Sequence, residues 1–323
     1  MDAAQNFQVL LSNITNPTLL FFVLGIVAFL IKSDLEIPAP SIKFISLYLL
    51  FSIGFKGGQE LQHSELTSEI WYSLIFGALL ATVIPLYTFF ILKLKVGVSN
   101  AGAIAASYGS VSAVTFVSAA TFLEMQSVHF GGHMIAVMAL MEFPAIIMGF
   151  VLIKKFEKEY GTEVSFKSII THAISNGSVL MIMGSLLIGI ISDSRQAEGI
   201  KPFTNDIFKG FLAIFLLEMG MITAKRFSTF RQHGLFVFLF AIFIPLLNGC
   251  VVALLSENIT ADVGNRFIFS ILAASASYIA VPAAMRLAAP KSDPGLYIPM
   301  ALGVTFPFNI TIGMPLYYLI IHS

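Results

Sequence analysis

Charged residues are scarce in this chain. Asp, Glu, Lys and Arg make up 11% of its 323 residues, where a soluble domain carries about 25%. So little charge cannot cover a surface that faces water, and a soluble fold is excluded. There is no basic excess either, because 18 Lys and Arg balance 18 Asp and Glu. Phosphate backbones find nothing here to neutralise them, so nucleic acid is excluded as a partner. The single cysteine, Cys250, rules out an internal disulfide framework and a Cys-based metal cluster. No Gly-rich loop ending in Lys-Ser/Thr occurs, which argues against an ATP-driven pump of that type. No Ser-His-Asp order or paired carboxylates recommend an enzyme, and no catalytic residue is assigned. His129 and His133 stand four apart around Gly131-Gly132. Those glycines oppose the helix that a metal-binding pair would need, so the segment reads as a surface loop and no metal centre is expected. Lys32 is the first basic residue, so no cleavable signal is visible. Residues 3–13 read as a mildly apolar stretch at the membrane surface.

What fills the chain is apolar. Hydrophobic residues reach 57% and mean hydropathy is +0.88. A spanning helix needs about 20 mostly apolar residues. Ten segments qualify, near 17–31, 39–55, 70–92, 98–123, 133–153, 174–192, 204–224, 234–255, 265–287 and 294–320. Gly57-Gly58 reads as the end of span two. The longest polar connection runs from Lys154 to Ser168 and marks the midpoint. Of the 18 Lys and Arg, 13 flank the odd-to-even connections and 5 the other side. The positive-inside rule puts the 13 in the cytoplasm and both termini outside.

The two halves, 1–160 and 161–323, match in order. Asn16-Pro17-Thr18-Leu19-Leu20 parallels Asn176-Gly177-Ser178-Val179-Leu180, and Ser52-Ile53-Gly54-Phe55 parallels Glu218-Met219-Gly220-Met221. Ser110-Val111-Ser112-Ala113 parallels Ser275-Ala276-Ser277-Tyr278. Met138-Ala139-Leu140 and Phe143-Pro144 parallel Met300-Ala301-Leu302 and Phe306-Pro307. The offsets are 160, 166, 165, 162 and 163. A repeat of five spans must enter the membrane from the opposite side the second time. The expected fold is thus an all-α membrane protein of ten transmembrane helices in a 5+5 inverted repeat, a secondary-transporter signature.

Spans four and nine carry small and hydroxyl residues at matching mid-membrane places. Gly109 permits an unwound turn in the first, and Pro282 removes a backbone donor in the second. Small-residue clusters commonly serve helix packing. Two of them, at equivalent points and each beside a helix breaker, favour two broken helices whose restarted halves present free N–H groups to a small anion. Glu142, in Met141-Glu142-Phe143-Pro144, is an acidic residue inside a span and so a functional candidate, unless it reaches water at the interface. Its repeat partner is Thr305. Pro144 and Pro307 should free carbonyls near Leu140 and Gly303. Glu142, Thr305 and Asn309 are candidate cation ligands.

These residues resemble the sodium-dependent bicarbonate transporter family over nearly the whole length. The resemblance is carried by Asn16-Pro17-Thr18-Leu19, Ile53-Gly54-Phe55-Lys56-Gly57-Gly58 and Gly109-Ser110-Val111-Ser112-Ala113-Val114-Thr115. It continues in Glu142-Phe143-Pro144-Ala145, Ala273-Ala274-Ser275-Ala276-Ser277 and Pro294-Gly295-Leu296-Tyr297-Ile298. It implies sodium symport of bicarbonate, a homotrimer in a bacterial inner membrane, and a PII-like regulatory protein on the cytoplasmic side. It implies an anion site at Gly109, Ser110, Ser112, Ser275 and Ser277. Sodium, the co-transported ion, is expected near Thr115, Glu142, Thr305 and Asn309. The chain departs from the family pattern at Ala113-Val114, Tyr278 and Glu142, and lacks a long acidic insertion between spans five and six. Two other readings remain open: a sodium symporter for an organic anion of bile-acid type, and a membrane sensor that binds without transporting.

Overall fold

The computed structural model describes residues 17–63, 67–157, 171, 175, 177–230, 234–278, 281–282, 284–285 and 289–322. The surface segment expected at 3–13, Asn16 and Asn176 of the first repeat match, most of the central connection and Arg286 lie outside the described residues. Among the described residues every regular element is helical. Within these residues seven stretches are long and apolar enough to cross a membrane, and three shorter apolar helices accompany them.

In chain order the helices are α1 (Pro17–Leu30), α2 (Ala39–His63), α3 (Ser68–Val96), α4 (Val98–Gly109), α5 (Ala113–Met125) and α6 (His133–Phe156). They continue as α7 (Gly177–Ile191), the short α8 (Ser194–Glu198), α9 (Phe208–Phe230), α10 (Leu235–Leu255) and α11 (Val263–Ala274). The last, α12, runs over Pro294–His322. In lipid the backbone must satisfy itself, which leaves helices as the form such apolar runs can take. The polarity of their faces suits that solvent. Along α3, Trp71, Ile75, Leu79, Val83, Leu86 and Phe90 form an exposed apolar stripe at helical spacing, while Ser73, Gly77, Ala81 and Ile84 face inward.

The helices sort into two bundles. In the first, α1 lies along α9 and α2 along α7. In the second, α3, α4 and α6 pack on one another, α10 packs on α11 and α12, and α11 touches α5. The bundles meet where α9 crosses α12 and where α2 and α7 touch α6.

Glycine sets the closest crossings in the first bundle. A Cβ on Gly220 of α9 would stand 2.0 Å from the Phe22 carbonyl oxygen and 3.1 Å from Gly25 Cα. A Cβ on Gly54 of α2 would stand 2.6 Å from the Ile182 carbonyl oxygen and 2.9 Å from Ser185 Cβ. The Gly57-Gly58 pair does not end span two, contrary to the sequence expectation. The helix runs on to His63, and a Cβ on Gly58 would meet the Leu186 carbonyl oxygen at 2.2 Å. Gly54 and Gly58 serve close approach to α7, and Gly57 faces α6, where a Cβ would stand 2.1 Å from Ile135 Cδ1; the packing gained outweighs their poor helix propensity.

Two other expectations are corrected. His133 is not on a surface loop: it begins α6 and is 8% exposed, while His129 is exposed. The loop before it is held by the Gly131 N–H donating to Asn265 Oδ1 at 2.7 Å, which tucks the start of α6 under α11. Pro144 leaves α6 an unbroken helix, whereas Pro307 is flanked by π-helical turns over Met300–Thr305 and Asn309–Gly313. In that wider register the Phe306 N–H bonds to the Ala301 carbonyl. The carbonyl orphaned by Pro307 is then Leu302 and not Gly303, and Leu302 accepts from Thr223 Oγ1 at 3.0 Å.

Candidate functional site

Both expected breaks are present. Helix α4 stops at Gly109, residues 110–112 are non-helical, and α5 starts at Ala113. Helix α11 stops at Ala274, and Ser275–Tyr278 are non-helical. Neither stops for the reason the sequence suggested. Gly109 is itself helical, and a Cβ there would stand 2.1 Å from the Pro85 ring and 3.3 Å from Ala145 Cβ. It is glycine so that α4 can press between α3 and α6. Pro282 is already helical and buried, beyond the break. Early in a restarted helix its missing N–H removes no intrahelical bond.

What stops the helices is an alternative set of partners. The Ser277 N–H donates to the Ser107 carbonyl at 2.8 Å, and Ser107 Oγ donates to the Ser277 carbonyl at 2.5 Å. The Ser112 N–H donates to Ser275 Oγ at 3.1 Å. The two interruptions therefore bond directly to each other. Ser112 also caps α5, its Oγ accepting from the Thr115 N–H at 3.2 Å. A polar group buried without a partner costs about 1–3 kcal/mol. Ser107, Ser110, Ser112, Ser275 and Ser277 are all at most 4% exposed, and each is bonded.

The carbonyls left over at the end of α11 are taken by two asparagines. Asn248 Nδ2 donates to the Ala273 carbonyl at 3.0 Å, and Asn309 Nδ2 donates to the Ala274 carbonyl at 2.7 Å. Asn248 is fixed in turn by Tyr87, whose hydroxyl donates to Oδ1.

A small cavity of about 20 Å3 lies where the breaks meet, room for one water. Val111, Ser112 and Ala113 line it from the first break, Ser277 and Tyr278 from the second, and Glu142 from α6. Leu50 of α2 and Ser178 of α7 close it from the other bundle. A larger cavity of about 350 Å3, beside Lys56, Gln59 and Glu60 and walled by α8, includes none of the break residues.

Of the expected anion residues, Ser112 and Ser277 face the cavity. Ser110 and Ser275 stand behind it: Ser110 Oγ donates to Glu142 Oε2 at 2.5 Å, and Ser275 Oγ donates to the Leu272 carbonyl at 2.9 Å. The expected sodium residues are spread out. Glu142 lines the cavity, Thr115 sits in the first turn of α5, and Asn309 caps α11. Thr305 Oγ1 donates to the Ala241 carbonyl at 2.7 Å, so at 2.8 Å from Tyr108 Oη it accepts the phenolic proton. None of the four hydrogen-bonds another. Sequence reasoning missed Leu50 and Ser178, which only long-range packing brings here. It also passed over Tyr108, whose aromatic ring in an apolar helix reads as core.

An all-helical molecule clad in apolar side chains, with two interrupted helices meeting inside it, is a multi-pass membrane protein. The chain belongs to the Na+-dependent bicarbonate transporter superfamily, whose model matches residues 17–322. Membership makes it a transporter whose work depends on sodium. No curated protein matches it.

Proposed function

We propose that the chain is a sodium-coupled bicarbonate symporter that binds its anion where the two breaks meet. The observation that carries this reading is the cavity between the breaks. It joins hydroxyls of Ser112 and Ser277, the start of α5 and the Glu142 carboxylate, inside a member of a sodium-dependent bicarbonate family. The first N–H groups of α5 lack intrahelical acceptors and favour negative charge. Sodium binds on the Glu142 side with Thr115, while Asn309 caps the helix before the second break and Thr305 ties Tyr108 of α4 to α10.

The ten apolar helical spans form two inverted halves in this reading, with both termini outside a bacterial inner membrane. The glycine crossings support it. Gly220 meets the Phe22 carbonyl, and Gly54 meets that of Ile182. Gly54 and Gly220 are matched at offset 166, and Phe22 and Ile182 continue the match at offset 160, so one contact is used once in each direction, as a two-fold axis in the membrane plane requires. Transport is movement of the break-bearing bundle against the one holding Leu50 and Ser178.

The test is uptake of labelled bicarbonate into proteoliposomes, with pH and membrane potential clamped. Uptake should need an inward sodium gradient and fall in the Ser112→Ala, Ser277→Ala double variant. Folded wild-type protein with no sodium-driven uptake would end the bicarbonate reading.

A further inference from the structure

We infer that the site selects oxyanions that carry their own proton, with Glu142 as the acceptor that reads it and Tyr278 as a donor to the anion's charged end. The inference rests on the transport reading above and names the chemical class of substrate.

The cavity holds a contradiction if its occupant is treated as a bare anion. Glu142 lines it, and no cationic side chain does. Among the described residues no Lys, Arg or His nitrogen lies within 4.0 Å of that carboxylate. Ser110 occupies one acceptor position, on Oε2. An ionised carboxylate offers about four such positions and no donor. Two acceptor-only groups facing each other repel, and sodium beside them offsets charge without supplying a hydrogen bond. A substrate with one O–H resolves the conflict. Its hydroxyl donates to Glu142 while its charged oxygens accept from the opposite wall.

That wall is built of donors. Ser112 Oγ already accepts from the Thr115 N–H, and Ser277 Oγ from the Val281 N–H at 3.4 Å, which leaves each hydroxyl its proton to donate. Tyr278 Oη is buried beside Ser112, its nearest polar neighbour, and makes no hydrogen bond of ordinary geometry. A phenol held that way, its ring set edge-on against Phe306 at 6.4 Å, is a donor waiting for an acceptor. Hydrogencarbonate has the matching pattern of one donor and two charged oxygens. Nitrate has the same planar shape and charge but no proton. The site opens to that size when the bundle carrying Leu50 and Ser178 moves back.

The experiment measures inhibition of sodium-driven labelled bicarbonate uptake by unlabelled bicarbonate and by nitrate, at a pH where hydrogencarbonate dominates. On wild type, nitrate should be weaker by at least about 100-fold, because a site built to pair a substrate hydroxyl rejects the analogue that lacks it. In Glu142→Gln the amide oxygen keeps the bond from Ser110 and the NH2 turns a donor toward the cavity. Bicarbonate should weaken, nitrate strengthen, and their ratio fall to within about tenfold. Tyr278→Phe in that background should weaken both anions together. Sodium half-saturation is read alongside, since loss of sodium binding alone weakens both anions alike and leaves their ratio fixed. Nitrate equal to bicarbonate on wild type would overturn the inference with no variant needed, as would an unmoved ratio in Glu142→Gln. Either result leaves sodium-driven bicarbonate transport standing, whereas absence of wild-type uptake would end both.

Discussion

Asn309 offers a decisive perturbation, because sequence and structure give it different work. The sequence suggests a sodium ligand. In the structure its amide donates to the Ala274 carbonyl at 2.7 Å, and Asn309 is 0% exposed, like Ala274. In Asn309→Ala that carbonyl loses its partner where water does not reach. An unsatisfied buried carbonyl costs about 1–3 kcal/mol, and the space left by the amide adds roughly another 1 kcal/mol. At about 2 °C per kcal/mol for a chain of this length, the melting temperature should fall by about 4–8 °C. The assay is a thermal melt of purified protein at one fixed scan rate, since membrane proteins rarely refold after melting. Asn248→Ala, which strips the neighbouring Ala273 carbonyl, should cost a similar amount. The pair should be non-additive, because both asparagines hold one helix end. Sodium half-saturation of transport should not move in Asn309→Ala. An unchanged melt together with a large rise in sodium half-saturation would refute the capping role and restore the ligand.

Other outcomes follow from the packing. Gly220→Ala should destabilise by about 3 kcal/mol, since its Cβ falls 2.0 Å from a backbone oxygen of α1 and neither helix can yield cheaply. Gly210→Ala on the same helix meets nothing within 4 Å and should stabilise by up to about 1 kcal/mol through helix propensity. Opposite shifts of the two melts would check this. Lys209 and Glu124 pair at 3.0 Å across the two bundles but are 58% and 62% exposed. Lys209→Ala should therefore change the melt by less than about 2 °C.

Much of this architecture could be read from residue order. Apolar runs marked the spans, because lipid imposes a length that composition reveals. The clusters Ser107–Ser112 and Ser275–Ser277 marked the breaks, since buried hydroxyls in a membrane need a reason. The causes were not legible. Gly109 looked like a hinge and is a packing residue, because its neighbours Pro85 and Ala145 come from other helices. Pro282 looked like the breaker and stands beyond the break, because Ser107 from the other half takes the partner role. Asn309 and Thr305 looked like ion ligands because their polar groups are mid-membrane. Their acceptors, Ala274 and Ala241, are visible only after folding. Local chemistry announces that a polar group is present. Which acceptor claims it is decided by elements far off in sequence.

The reciprocal pair of hydrogen bonds between Ser107 and Ser277 makes a single strut of two helices that belong to different halves of the chain. Neither interruption can shift alone without stripping a buried backbone group. In the proposed transport cycle the anion's cradle is then cargo in its own right: it rides intact, and what changes around it is which side water can reach. The contacts between Ser107 and Ser277 travel in that cycle with the cradle from one side to the other. Such a cradle sets no direction of its own in the proposed symport, and the combined gradients of sodium and anion with the membrane potential decide whether the anion is gathered or released.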